Sequence, residues 1–523
     1  MKLLKRSALW AFLAGVVVFG GLRPAQAQTQ DDAPFAYLAI SSVDKLKQDL
    51  GYVLEMADQK QLLHLGEFFV GQAGLETTRP FLVSVHPGAQ LPSVRVFVPT
   101  ADRKKLFATL AAHLPEQKQL EQDLFQLSGP QHVFARTSGP YTVFSLERES
   151  LTGDLAIPRG ADNLVKEFNV GVSIGFQKIP QQYRQMILSA VDDRDARNAA
   201  QTLLNEGKSF TYAFGISKEK RQLVFDSELV AVERSKLGEL LSGFDLKSSL
   251  NNLLATGNPF NVGVNLRLPK PLVELLKDGW RQEVAGNLPN IPAGEQSIEQ
   301  ALLLAANDLV TSNLNRGKLH FVASAVAPRD RPMTLYGAIK LSGVETLFGK
   351  LEDAIEKAGP RELPKELTLN AASHRGLSLH AFETPIADPE AKQVFGENVT
   401  LHFTAADDTL FWSFGESSEG VLKKVVEVAL DPKREPSSLP AVFAQFRAGA
   451  WTRFFPTTES DDPVQVAAKE VLHDQDRLTL GVSLLARGIS TRLILEEDYL
   501  RLLAIAFRQG FEESMNANAQ LGN

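Results

Sequence analysis

Cysteine is missing from all 523 residues. That removes disulfides, thiolate zinc ligands and thiol nucleophiles together, so stability has to come from packed cores, which a chain this long can supply. Beyond Gly21 no apolar run approaches the roughly 20 residues of a bilayer-spanning helix, and no membrane span is expected after the leader. A basic stripe is missing too. The formal charge is −7, and residues 1–27 hold Lys2, Lys5, Arg6 and Arg23 with no acid, so the chain from Gln28 onward stands at −11. An acidic chain without a basic patch argues against nucleic acid or anionic lipid as partners.

What is present begins with an address. Lys2, Lys5 and Arg6 precede an apolar run from Ala8 to Gly21, and Ala25-Gln26-Ala27 places small residues where a signal peptidase reads. This pattern predicts a secretory signal peptide over 1–27 and export to the periplasm or the medium. No cysteine follows the cut to carry a lipid. Behind it, 44% hydrophobic and 22% charged residues are ordinary for packed domains.

The body is organised around a repeated phrase. Phe168-Asn169-Val170-Gly171-Val172 returns as Phe260-Asn261-Val262-Gly263-Val264, and Asn-x-Gly-Lys follows each copy, at Asn205 to Lys208 and at Asn315 to Lys318. Four stretches read as strand, helix, helix, hairpin, helix, beginning near Phe35, Phe168, Phe260 and Gly449. Clean alternation at Phe210, Tyr212, Phe214 and Ile216, and at Leu478, Leu480, Val482 and Leu484, suggests sheets with one core face and one more polar face. The expected fold class is α+β: duplicated antiparallel sheets covered by helices, in halves 28–250 and 258–510, with a flexible tail at 511–523.

Candidate chemistry is sparse. Gly171-Val172-Ser173-Ile174-Gly175 fits the G-x-S-x-G pattern that lifts a nucleophilic serine onto a strand-to-helix bend. Here Ser173 falls inside an alternating strand, and the other copy has Asn265 and Arg267 where Ser173 and Gly175 stand. Gly207-Lys208-Ser209 lacks the upstream glycine of a phosphate loop, Thr202 occupying that place, and reads as a helix stop before a strand. His320, His380 and His402 sit in similar strand contexts, on the register alternate to their apolar neighbours. They could meet on a metal only if their strands were adjacent. The pairs Asp192-Asp193, Asp407-Asp408 and Asp461-Asp462 read as turn punctuation. No cofactor is implied.

A signal peptide, no cysteine and repeated strand-helix-hairpin-helix units together resemble large exported bacterial proteins of uncharacterised function. The resemblance is architectural and implies neither an activity nor site residues. The expected role is a non-enzymatic exported protein, binding, scaffolding or envelope-associated, with an envelope or extracellular partner. The alternatives are a secreted hydrolase using Ser173 or a histidine metal site, and a carrier of a small apolar ligand between the halves.

Overall fold

The computed structural model describes residues 33–59, 73–88, 91–153, 155–241, 247–268, 270–287, 298–328, 331–349, 366–452, 463–473, 476–506 and 508. The expected signal peptide, the Asp461-Asp462 pair and the tail after 510 lie outside those residues. The chain divides into two compact units, residues 1–241 with 487–523, and residues 242–486. The segment 487–510, expected with the second half, thus belongs with the first unit. Among the described residues no helix is long and apolar enough to cross a membrane.

Unit 1 contains β1 (Ala36–Ile40), β2 (Phe81–His86), β3 (Ser93–Pro99), β4 (Glu116–Gln119), β5 (Leu124–Ser128), β6 (His132–Ser138), β7 (Tyr141–Ser145), β8 (Val170–Ile174), β9 (Gly207–Ser217) and β10 (Gln222–Ala231). Unit 2 contains β11 (Lys247–Ser248), β12 (Phe260–Arg267), β13 (Lys318–Val326), β14 (Thr334–Lys340), β15 (Leu367–His374), β16 (Leu377–Pro385), β17 (Asn398–Ala406), β18 (Thr409–Gly415), β19 (Ser437–Ser438), β20 (Val442–Arg447) and β21 (Arg477–Leu485). A last strand, β22 (Gly488–Glu496), returns to unit 1 beside β10.

The order in unit 1 is β4-β5-β6-β7-β3-β2-β1-β8-β9-β10-β22. In unit 2 it is β15-β16-β17-β18-β14-β13-β12-β20-β21. Each unit thus places its early strand, β1 or β12, inside. The following hairpin and a four-strand meander lie on one side of it, and later strands on the other.

This overturns the expected fold class. In place of duplicated, helix-covered sheets made of strand-helix-helix-hairpin-helix units, eleven strands in unit 1 and nine in unit 2 pair antiparallel side by side, and among the described residues strand outweighs helix, 39% to 33%. The physical reason lies in which side chains the two faces take. In β9 the small alternates Ala213 and Gly215 are buried, whereas of the large ones only Ile216 is, Phe210 and Phe214 being half-buried and Tyr212 40% exposed. A Cβ on Gly215 would stand 3.0 Å from Phe168 Cα, so that face tolerates only small residues. Large residues in a period-two pattern therefore do not by themselves mark a single core side, since Ile216 on their face and Ala213 on the other are both buried. The second face is apolar as well, and a cross-strand row of it runs Phe144, Val96, Val83, Leu38, Val172, Tyr212.

The repeated phrase has a local explanation in each unit. Asn169 is 3% exposed; its Nδ2 donates to Asp49 Oδ2 at 2.7 Å and its Oδ1 accepts from the Ile216 N–H at 2.6 Å. Asn261 is equally buried, donating to Gln445 Oε1 at 2.7 Å and Ala255 O at 2.8 Å and accepting from Ser324 Oγ at 2.7 Å. A buried amide satisfied on both ends fixes strand register without leaving a polar group stranded. The glycine of the phrase makes room for a leucine. A Cβ on Gly171 would fall 2.3 Å from Leu164, on the helix Ala161–Glu167, and one on Gly263 would fall 3.0 Å from Leu254.

In unit 2 the helix Ser418–Ala429 covers the inner face. Its buried Leu422, Val425, Val426 and Ala429 recur at i, i+3, i+4 and i+7, one stripe of a helix. They pack with Val322, Ala338, Leu379 and Phe411, and each large side chain buried there contributes about 1.5–3 kcal/mol. The expected strand at Gly449 to Phe455 is instead a helix at Gly449–Thr452, and the strand lies earlier, as β20. The Asp476 carboxylate accepts the Gly449 N–H, and Ala448 O accepts from Trp451 and Thr452, which starts a helical turn there.

Candidate binding site

The residues singled out in the sequence occupy strands. Ser173 sits within β8, paired with Tyr37 on one side and Thr211 on the other. No imidazole among the described residues hydrogen-bonds it. His86 is engaged elsewhere, with its Nε2 2.8 Å from Ser84 Oγ, both residues buried.

The three histidines do not share a face. His380 of β16 pairs with Phe403, while His402 of β17 pairs with Ala381. A one-residue offset across a ladder sends the two side chains to opposite faces. His380 is buried between Phe348 and Phe403, with centroids 5.2 and 5.4 Å away. His402 lies on the inner face, its Nδ1 2.8 Å from Ser418 Oγ at the start of the covering helix. Burial lowers its pKa first; Glu419 opposes the shift and Lys423 adds to it. His320 is on β13, three ladder steps or roughly 14 Å from β17. Its Nε2 is shielded from solvent with no hydrogen-bond partner. Burial, then the Lys340 charge, pushes its pKa down to about 4. The more polar sheet face expected for all three is therefore not where they lie. Among the described residues no group of three His, Asp or Glu side chains could hold a metal.

A different site emerges where the inner face of unit 2 ends. The β17–β18 hairpin turns through Asp407 and Asp408, both with left-handed backbones at φ 50° and 56°, the conformation a two-residue hairpin requires and Asp tolerates. Asp408 O accepts from the Leu341 N–H and its Oδ1 from the Gly343 N–H, each at 2.8 Å, tying the turn to the end of β14. Lys340 closes β14, and its Nζ donates to Asp407 O at 2.8 Å. The helix Ser418–Ala429 ends beside this turn. The segment after it is pinned by Asp431 Oδ1, which accepts from the Lys433 N–H at 3.0 Å, and by Asn251 and Asn252, which donate to Ser437 O and Glu435 O.

These elements enclose a cavity of about 260 Å³, lined among others by Ser249, Leu250, Lys340, Asp407, Phe411 and Asp431. Its size is near the lower end for small-molecule sites, roughly 300 Å³. Leu250 and Phe411 lie behind it, essentially without solvent contact. The rim carries charge of both signs, and the last carbonyls of a helix add partial negative charge beside Ala429 and Leu430. Neither Lys340 nor the Asp407 carboxylate enters an ion pair among the described residues.

A second cavity, about 220 Å³ in unit 1, differs in this respect. There Arg136 is spent on Asp123 at 3.0 Å and Arg148 on Glu121 at 2.8 Å. Sequence reasoning passed over the unit-2 site because Ser249, Lys340, Asp407 and Asp431 are far apart in the chain and form no motif; only the Asp407-Asp408 turn was visible. Comparison with protein-family models, with curated proteins and with solved structures returned no match.

Proposed function

We propose that the chain is an exported, non-enzymatic binding protein that takes a small polar ligand in the unit-2 cavity. The observation that supports this reading most is the cavity lining itself: Lys340, Asp407 and Asp431 border it together with Ser249 and Thr409, and among the described residues no ion pair joins the lysine to either aspartate. Such a lining offers a small polar ligand orientation by charge and hydrogen bonding, the role of the few polar groups in a ligand pocket. The basic, apolar and small-residue succession of residues 1–27 supports export. An envelope or extracellular setting then supplies both ligand and partner.

Two measurements test the proposal. A thermal-shift screen of small metabolites is run on the protein and on a Ser249→Trp variant, which fills the cavity from its rim without touching the core. A ligand that raises the melting temperature of the first and not the second supports the reading; shifts equal in both, or none in either, remove it. Labelling by a serine-reactive fluorophosphonate that disappears on Ser173→Ala would remove the non-enzymatic part. Export is read from the N-terminus of protein recovered outside the cytoplasm, expected at Gln28.

A further inference from the structure

The class of ligand can be narrowed, on the footing that the unit-2 cavity binds one. We infer that it is a neutral, polyhydroxylated molecule, a monosaccharide or a cyclic polyol. The lining that a ligand can reach is mostly polar: Lys340, Asp407 and Pro432 are exposed and Ser249 and Asp431 half-buried, whereas Leu250, Thr409 and Phe411 are closed to solvent. Opposite charges are interleaved in it. Lys340 Nζ donates to the main-chain oxygen of Asp407 at 2.8 Å, which sets the ammonium beside the residue that carries one of the two carboxylates. Bonding capacity is left over on both. An ammonium has three N–H donors, and this bond uses one. The Asp407 carboxylate and the Ser249 hydroxyl make no hydrogen bond among the described residues, and Asp431 commits Oδ1 to the Lys433 N–H while Oδ2 stays open.

A charged ligand is poorly placed in such a lining. An anion meets two carboxylates and the carbonyl end of the helix Ser418–Ala429. A cation has to share those carboxylates with an ammonium already there. A hydroxyl group both donates and accepts, so one hydroxyl gives its hydrogen to a carboxylate and takes another from the lysine or the serine. Hydrogen bonds to an ionised partner are the stronger kind, and a sugar ring carries several hydroxyls side by side. The volume of about 260 Å³ suits one ring and no oligosaccharide.

The experiment is isothermal titration of the intact protein with D-glucose, D-galactose, D-mannose, D-xylose and myo-inositol, followed by deoxy analogues of the tightest. Loss of one hydroxyl is expected to weaken binding at least tenfold for at least one analogue. Two variants then separate neutral from charged ligands. Lys340→Met removes the ammonium. Asp407→Gly removes a carboxylate while keeping the main-chain oxygen, and glycine accepts the φ of 50° at that position. Each should weaken the sugar at least tenfold, with unchanged melting curves confirming that both fold, and added sodium chloride should leave the parent affinity unaltered. A cation would instead bind Lys340→Met more tightly and Asp407→Gly less, and an anion the reverse. Shifts in opposite directions, indifference to either variant, or deoxy analogues that all match the parent overturn the assignment but leave a binding cavity. An absence of heat with every sugar and polyol overturns it as well, and the metabolite screen with Ser249→Trp then decides whether the binding reading falls too.

Discussion

Two side chains illustrate how this molecule handles buried polarity. Asn169 holds Asp49, itself 5% exposed, and the Ile216 N–H. Asn169→Ala would strand both partners away from water. Leaving a buried group unsatisfied costs about 1–3 kcal/mol, more when it is charged, so a loss of about 2–4 kcal/mol is expected by urea unfolding. Asn169→Asp, which sets a second carboxylate against Asp49, should be no better tolerated. His320 behaves in the opposite way, since its Nε2 is buried with nothing to bond. Its folded pKa of about 4 lies below the ordinary 6.5, so between those values the unfolded chain binds the extra proton. The stability this contributes is complete above pH 6.5 and is lost as pH falls toward 4. At one unit per 1.36 kcal/mol it amounts to at most about 3 kcal/mol. His320→Leu should therefore flatten the acid limb of a stability-versus-pH curve and be more stable than the parent at pH 5, by chemical denaturation at both pH values.

The edge strands show what a single element has to solve. β4 is short and carries Glu116 and Lys118, which discourages pairing with another chain. β15 pairs only with β16 among the described strands and is longer, with neutral Thr368, Asn370, Ala371 and Ser373 outward. Its protection is an irregularity: the register shifts between Thr368 and Ala372, and Asn370 takes a left-handed backbone at φ 52°. A bulge of this kind bends a strand away from partners. The shift amounts to two residues, so deleting Asn370 and Ala371 together should straighten β15 and produce concentration-dependent self-association, seen by light scattering coupled to size-exclusion chromatography. Much at this scale can be read from the sequence. The β17–β18 hairpin falls where Asp407-Asp408 separates two alternating runs, and β9 and β21 cover the alternation at Phe210 and at Leu478. What cannot be read is which face is inner. In β9 the small Ala213 and Gly215 are buried, because Phe168 packs against that side, and no local rule announces it. The candidate cavity is hidden for a related reason. Lys340 is an ordinary strand end until β18 pairs it with Thr409, and Asp431 an ordinary helix exit until the chain returns beside Ser249.

At the scale of the whole chain the governing fact is how far apart in sequence the paired strands are. β12 lies beside β20, and β10 beside β22, where Asp226 and Arg492 face each other across the ladder and form an ion pair. Alternation fixes that each segment is a strand, but pairing over such separations leaves no local signature, and closing such loops slows folding. Unit 1 is thus completed only by the far end of the chain. β22 covers β10 from Gln222 to Val230. Behind it Leu500 joins Ile216, Leu223, Tyr52 and Met56 in one apolar cluster, while Glu497, its carboxyl pKa lowered against the cost of burial by Arg221 and Arg501, ties the closing segment to the turn after β9. A chain ending at Ala486 would lose all of this at once. It would leave β10 as a long open edge with Leu223, Phe225 and Leu229 uncovered, an invitation to edge-to-edge pairing. The expected result is a product that elutes as oligomers. Its unit-1 transition in urea should be lowered by several kcal/mol, since burial of a few large side chains at about 1.5–3 kcal/mol each is forfeited. Tryptophan reports the contrast, because Trp280, Trp412 and Trp451 lie in unit 2 and the fourth, Trp10, falls within the expected signal peptide. Their fluorescence transition should move much less than the loss of total strand signal by circular dichroism. If the two transitions shift together, the units do not unfold separately, and the closing role assigned to β22 extends beyond unit 1.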